Sequence, residues 1–246
     1  MRTGGAVGAP NGSGDPEGGA SCQDGDARDS ADAVIMVLRL RHGPDETMAR
    51  FDRYLKSGKP IIALRTSTHA FAGFPKGSPW DAWNYTSDGS GFGKRVVGET
   101  WLTHWGKHKS EATRGAIEPS QRDNPLLRGV EHLFGDTDVY EAYPPADATI
   151  LVRGLVLNGM TSDAPSASYR KPRSTDKQEQ DVNDPAMPVV RARQVRNAAG
   201  PTNRVLATTL GAATAPRSAV SPRLTGKAVV RGRRRAVPAP PPRPHA

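Results

Sequence analysis

The stretch Pro60-Ile61-Ile62-Ala63-Leu64 is followed at once by Arg65-Thr66-Ser67-Thr68-His69. The apolar residues after Pro60 predict a strand buried on both faces, as in the parallel sheet of an α/β protein. In open α/β sheets, ligands bind beyond the carboxyl ends of the strands. The polar run from Arg65 to His69 is therefore where we expect a functional site to begin.

The segment before this strand predicts a strand–helix–strand unit. Residues 31–40 form a short apolar run typical of a strand buried on both faces, and Pro44 suits the first turn of a helix. Apolar residues then recur at helical spacing before Gly58, namely Met48, Phe51, Tyr54 and Leu55. Two strands joined by a helix predict a parallel pair, so the fold class is α/β.

The rest of the chain predicts strands separated by loops. Strand patterns occur at residues 113–117, 149–157, 187–195 and 204–209. Residues 96–105 predict a short helix. A long loop (73–93) and a polar excursion (158–185) interrupt this order, and a loop as long as the first is often functional.

Charge and composition predict three parts. The net charge is +9, but no Asp or Glu follows Asp184, so the positive charge belongs to the C-terminal region. We predict a disordered Gly-rich leader (1–30), an α/β domain (31–214) and a disordered Arg/Pro-rich basic tail (215–246), because the two ends hold too few apolar residues to fold. A shifted reading frame is the alternative interpretation of the tail. Nucleic acid is not expected as a partner beyond non-specific contacts of the tail.

Cys22 is the only cysteine and lies in the predicted leader. An internal disulfide, a Cys-based zinc site and a thiol nucleophile at a strand end are therefore not expected. No apolar run approaches the roughly 20 residues of a membrane helix, and residues 1–30 lack a signal-peptide core. On these features alone we predict a cytoplasmic protein without a membrane partner.

Four blocks carry family motifs. They lie at residues 33–46 (AVIMVLRLRHGPDE), 59–71 (KPIIALRTSTHAF), 98–108 (GETWLTHWGKH) and 124–140 (with NPLLRGV and DTDVY). Together they resemble the ThuA-like (trehalose utilisation) family, a branch of the class I glutamine amidotransferase-like superfamily. The third block is the most specific of the four. The resemblance implies a flavodoxin-like three-layer sandwich with a mostly parallel sheet.

Two departures from the family pattern affect these expectations. Family members begin with a strand and helix before the strand at residues 31–40, and they end with a helix after the strand at 204–214. Here a Gly-rich leader and an Arg/Pro-rich tail occupy those places. We therefore expect a domain truncated at both ends, and the compartment stays open because a native N-terminus could have held a signal peptide.

The predicted catalytic residues are His104, His108 and Asp138. His104 and His108 are spaced i, i+4, which on a helix places both imidazoles on one face. Either could act as general acid or base, with Asp138 orienting it. The same pair could hold a divalent metal, but no clear spacing supplies a third ligand, so no cofactor is predicted and this alternative stays open.

The resemblance implies a saccharide as the substrate. The tryptophans suit such a ligand, because indole rings stack on pyranose faces while polar side chains bind hydroxyls. The predicted binding residues are Arg65, Thr66, His69, Trp101, Trp105 and Tyr140. The alternatives are structural: Arg65 could pair with Glu99 or Asp138, His69 could be a packing residue, and at least one of Trp101 and Trp105 could be core.

The resemblance implies a role in carbohydrate metabolism, such as transforming a glycoside or keto-sugar. Glutaminase activity is not expected, because Arg65-Thr66-Ser67 stands where amidotransferases carry a cysteine. Ser67 could serve as a nucleophile with His69 or His104 as its base, but the turn lacks flanking glycines. Whether the chain is an enzyme stays open; the alternatives are a non-catalytic sugar-binding or interaction module and a non-functional fragment.

Overall fold

The computed structural model describes residues 31–89 and 91–211. The predicted leader (1–30), with Cys22, and the predicted tail (215–246) lie outside this part. The described residues form an α/β fold with one seven-stranded sheet and a separate two-stranded hairpin. The helices of these residues are too short and too polar to cross a lipid bilayer.

The regular elements follow one another in this order: β1 (Val34–Met36), α1 (Asp45–Lys56), β2 (Ile61–Leu64), β3 (Thr113–Ile117), β4 (Leu133–Gly135), β5 (Thr149–Val156), β6 (Arg170–Pro172), β7 (Glu179–Asp181), β8 (Met187–Arg196) and β9 (Thr202–Thr208). Short 3₁₀ turns occur at Arg65–His69, Asp81–Trp83, Pro119–Gln121 and Pro125–Leu127, and a π-helical turn at Gly93–Val97.

The large sheet is mixed, with the strand order β1-β2-β9-β8-β5-β3-β4. β1, β2 and β9 run parallel, whereas every neighbouring pair from β9 to β4 is antiparallel. The expectation of a mostly parallel sheet is therefore corrected. β8 and β9 are joined by the short turn at residues 197–201, and a connection of that length permits only antiparallel pairing. Since α1 is the one α-helix among the described residues, a flavodoxin-like three-layer sandwich is not confirmed.

Helix α1 packs on the parallel part of the sheet. The four apolar residues predicted for its inner face are all buried, and Gly58 closes the helix with a φ of 74°. A Cβ at Gly58 would lie 2.7 Å from Pro201 Cβ, so this turn also requires glycine for space. The predicted strand–helix–strand unit is confirmed by the parallel pairing of β1 with β2.

Strand β1 is shorter and more exposed than predicted. It forms the edge of the described sheet and spans three residues. Ile35 is 51% exposed and Val37 beside it 48% exposed. The expected burial of both faces is wrong for β1 and right for β2, all of whose residues are buried.

The long loop at 73–93 packs against α1. Trp83 stacks on Phe92 with ring centroids 5.6 Å apart and contacts Phe51 of the helix. The Trp80 indole N–H donates to Asp45 Oδ1 at the start of α1, at 2.9 Å. Trp80 and Trp83 are thus packing residues. They lie against the cluster of buried apolar side chains around α1.

Candidate functional site

Arg65 connects the ends of two parallel strands to the site. It follows β2 directly, and its guanidinium Nη1 donates to Thr209 O after β9 at 2.6 Å and to Asp138 O at 2.7 Å. Nη2 donates to Asp138 Oδ1 at 3.2 Å. The backbone of Arg65 has a φ of 43°, a left-handed conformation that non-glycine residues rarely adopt. This unfavourable conformation directs a buried arginine between strand ends, as expected beyond the carboxyl edge of a sheet.

Asp138 is the centre of the site. Its side chain is 1% exposed, and its carboxylate Oδ2 lies 2.6 Å from His104 Nδ1. Its other oxygen, Oδ1, lies 2.9 Å from His108 Nδ1 and also accepts from Arg65. The buried carboxylate therefore has three partners, which is what burial of a charge requires.

The two histidines meet without the predicted helix. The π-helical turn at Gly93–Val97 ends at Gly98, whose φ is 90°, and the chain then continues irregularly. His104 forms an antiparallel bridge with Tyr140, which places it beside Asp138. The imidazole centroids of His104 and His108 are 4.2 Å apart. The expected helix at 96–105 is thus wrong, although the expected proximity of the two imidazoles is found.

The exposed parts of both imidazoles face away from Asp138. The His104 side chain is 33% exposed and that of His108 is 50% exposed, while the carboxylate between them is buried. An ionised carboxylate only accepts hydrogen bonds, so each Nδ1 carries the proton in the neutral ring. Each Nε2 then keeps a lone pair and has no hydrogen-bond partner among the described residues. Such a nitrogen can take a proton from a bound molecule.

Aromatic rings surround the other side of the histidine pair. The Arg65 guanidinium lies 3.7 Å from the Tyr140 ring centroid. His69 packs among Trp101, Tyr85 and Tyr140, with centroid distances of 5.4, 6.2 and 6.2 Å. Trp101 is partly exposed and also contacts His104, at 5.6 Å.

Burial changes the protonation of the residues in this aromatic group. Desolvation lowers the pKa of His69 to about 4, with Arg39, Arg65 and His104 contributing in the same direction. His69 is therefore neutral near pH 7. Desolvation also raises the pKa of Tyr140, partly offset by Arg65, and lowers that of Arg65, opposed by Tyr140 and Asp138.

Several buried polar atoms beside these residues have no partner in the described part of the chain. They are Thr66 Oγ1, Trp101 Nε1 and Thr209 Oγ1. Most buried polar side-chain atoms in proteins are hydrogen-bonded, so each unpaired one needs an explanation. A ligand rich in hydroxyl groups offers both donors and acceptors for atoms of this kind.

Two candidate residues, Trp105 and Ser67, make hydrogen bonds to the backbone of the fold. Trp105 is fully buried among the apolar side chains of β5 and β8, and its indole N–H donates to Val182 O at 2.9 Å. The structure thus places it in the core, which is the alternative predicted for one of the two tryptophans. Ser67 Oγ donates to Met36 O at 3.0 Å and accepts from Leu38 N at 3.3 Å. Its hydroxyl bonds the β1 segment to the turn after β2 and has no histidine partner among the described residues.

The residues that hold the histidine segment in place were not predicted from the sequence. Lys171 on β6 donates to His104 O at 2.5 Å and to Trp105 O at 3.3 Å. Glu111, 3% exposed, accepts from Lys107 N and from the hydroxyl of Tyr169, both at 2.7 Å. The polar excursion at 158–185 is therefore packed against the site. Its lysine and tyrosine could have been suspected only if the fold were known.

His104, His108 and Asp138 are also of the types that bind a divalent metal. One ligand atom from each lies within 4.8 Å of the others, and two His with one carboxylate occur at catalytic zinc sites. Against this, Asp138 Oδ1 already accepts from the Arg65 cation. The residues can hold a metal only if the carboxylate is shared between the metal and Arg65.

Comparison with known proteins gives distant structural likenesses. No protein-family model matches the chain, and no curated protein matches it. A protein described as ThuA-like from Parabacteroides merdae ATCC 43184 is 14% identical, covers 72% of this chain and gives a TM-score of 0.42. A second, from Bacteroides uniformis ATCC 8492, is 10% identical, covers 73% and gives 0.40. The chain spans 59% and 60% of the lengths of these two structures.

Both solved structures are described as ThuA-like, which is also the family that the sequence motifs of this chain resemble. Identities of 10% and 14% do not transfer residues or activity between proteins. What the site can do is therefore argued from its own contacts.

Proposed function

We propose that this chain binds a saccharide beside Trp101 and transforms it by acid–base catalysis with His104 and His108. The observation that carries the proposal is the sharing of one buried carboxylate by two partly exposed histidines, at 2.6 and 2.9 Å. A structural histidine pair needs no exposed ring edge. Two oriented imidazoles on one surface are suited to moving protons on a bound molecule.

Each residue then has a distinct role. Asp138 holds the Nδ1 proton of each imidazole, which leaves Nε2 to take a proton from a substrate hydroxyl or C–H group. The neighbouring imidazole, when protonated, returns a proton to the leaving oxygen. Arg65 is a positioning residue, because it holds the Asp138 backbone and carboxylate at once.

Saccharide as the substrate class is supported by the surroundings of the histidines. Trp101 is partly exposed next to His104, so its indole face can stack on a pyranose ring. Glutaminase chemistry is not proposed, because the turn after β2 carries Arg65, Thr66 and a Ser67 whose hydroxyl bonds the backbone of the β1 segment.

The proposal is tested with a panel of glucosides and keto-glucosides. Binding is followed by tryptophan fluorescence and turnover by chromatography of the products. We expect at least one of these sugars to be bound and converted. His104→Ala is expected to lower turnover about 10²- to 10⁴-fold, the usual contribution of acid–base catalysis, with little change in sugar affinity.

His132→Ala is the matched control, because His132 is exposed and lies outside the site. It is expected to leave both binding and turnover unchanged. Sugar binding with no turnover by the unaltered chain would instead indicate a non-catalytic binding module. No binding to any sugar of the panel would contradict the saccharide assignment itself.

A further inference from the structure

Arg39 follows β1 in the chain, and the proposed mechanism does not use it. The backbone next to it bonds the turn after β2, through Leu40 N to His69 O at 2.9 Å. This bond places the backbone beside Arg39 against His69, whose ring packs on Trp101 and Tyr140. Its side chain is exposed and has no hydrogen bond or ion pair among residues 31–89 and 91–211.

The charges around the site do not balance. His69 and Tyr140 both lie within the electrostatic range of Arg39 and Arg65. The carboxylate of Asp138 is the one acidic group that acts on Tyr140, and it is already paired with Arg65 at 3.2 Å. The charge of Arg39 therefore stays uncompensated by any described residue near the site.

We infer that the saccharide bound here carries an anionic group, a carboxylate or a phosphate, that pairs with Arg39. The inference rests on the proposed function and narrows its substrate class to acidic sugars. A guanidinium presents donors in a planar fork that matches both groups. An exposed arginine without a partner among the described residues can reach such a group without breaking any contact described for it.

Arg41 offers a matched control. It lies two residues further along the same segment and is likewise exposed. Its backbone bonds Ala70 and Ala72, but its charge is not among those acting on His69 or Tyr140. Neutralising Arg39 or Arg41 changes the net charge of the protein equally, so only a local effect distinguishes them.

The experiment measures binding of glucose, glucuronate and glucose 6-phosphate by tryptophan fluorescence at low ionic strength. We expect at least one anionic sugar to bind about tenfold or more tightly than glucose, as for one charge-assisted hydrogen bond. Arg39→Gln is expected to remove this preference and Arg41→Gln to keep it. The tighter of the two anionic sugars identifies the group as a carboxylate or a phosphate.

Three results would overturn the inference. If glucose binds as tightly as both anionic sugars, the inference fails while the saccharide proposal stands. If Arg41→Gln removes the preference as fully as Arg39→Gln, the selectivity comes from overall surface charge and not from Arg39. If none of the three sugars binds, the anionic assignment fails together with the saccharide proposal.

Discussion

Replacing Arg65 with methionine should destabilise the fold more than any other single arginine substitution near the site. The side chain is 5% exposed and bonds two backbone carbonyls and the Asp138 carboxylate. Methionine would fill much of the volume but remove the donor to both buried carbonyls. It would also remove the only cation that pairs with the Asp138 carboxylate among the described arginines and lysines, leaving that carboxylate its two histidine partners. Removing one partner of a buried ion pair costs about 3–5 kcal/mol.

The assay is urea-induced unfolding followed by tryptophan fluorescence. A domain of ordinary stability unfolds with about 5–15 kcal/mol, so a loss of this size is measurable. Arg65→Lys should lie between the native chain and Arg65→Met, because an ammonium keeps the charge but lacks the planar fork and the stacking on Tyr140. Arg41→Met, at an exposed position, should change the unfolding free energy by no more than about 0.5 kcal/mol.

A loss of unfolding free energy below about 1 kcal/mol for Arg65→Met, with an unchanged urea dependence, would contradict a stabilising role for the buried contacts of Arg65. It would mean that Asp138 and the two carbonyls find other partners or water when the guanidinium is removed. The position of Asp138 between the histidines would then not depend on Arg65.

Three further predictions concern the surroundings of the site. Lys171→Met should lower turnover about tenfold at unchanged sugar affinity, since Lys171 bonds the backbone of His104. Lys177→Met, on the exposed turn of the same hairpin, should leave turnover unchanged. Equal losses of turnover in the two variants would contradict a positioning role for Lys171. Protonation of His69 should contribute a fall of about 2 kcal/mol in the unfolding free energy as the pH is lowered from about 6.5 to 4, because the unfolded chain binds a proton at His69 that the folded chain, with a pKa of about 4, does not. His69→Gln should therefore lose about 2 kcal/mol less than the native chain over this range, and His132→Gln should lose as much as the native chain; equal losses in His69→Gln and the native chain would contradict the assignment. Turnover should survive EDTA, because Asp138 already pairs with the Arg65 cation, and complete loss restored by zinc would show that His104, His108 and Asp138 hold a metal.

The strands nearest the site were predictable from local sequence. The apolar run of β2 and its polar continuation are visible in Pro60 to His69, and the amphipathic spacing of α1 is visible from Met48 to Leu55. These patterns reflect the burial of each segment, which is encoded locally. Pairing partners are not encoded in this way, so the antiparallel β8 and β9 could not be distinguished from parallel strands.

The candidate site was predictable in its residues but not in its construction. The i, i+4 spacing of His104 and His108 suggested one helix face, yet a backbone bridge to Tyr140 and the shared carboxylate of Asp138 bring them together. Trp101 and Trp105 lie in the same short segment and could not be distinguished by sequence, but Trp105 is buried against Val182. Which of two neighbouring aromatics reaches the core depends on contacts with a segment about 80 residues away, which local pattern does not contain.

The decisive experiment is a crystal structure of the protein with the tightest-binding sugar of the panel. We expect the sugar ring to lie against the Trp101 indole, with a hydroxyl or the reacting carbon within about 3.5 Å of Nε2 of His104 or His108. Both Nδ1 atoms should remain on the Asp138 carboxylate. A sugar bound elsewhere, or histidines turned away from Asp138 in its presence, would contradict the proposal that this pair performs the chemistry.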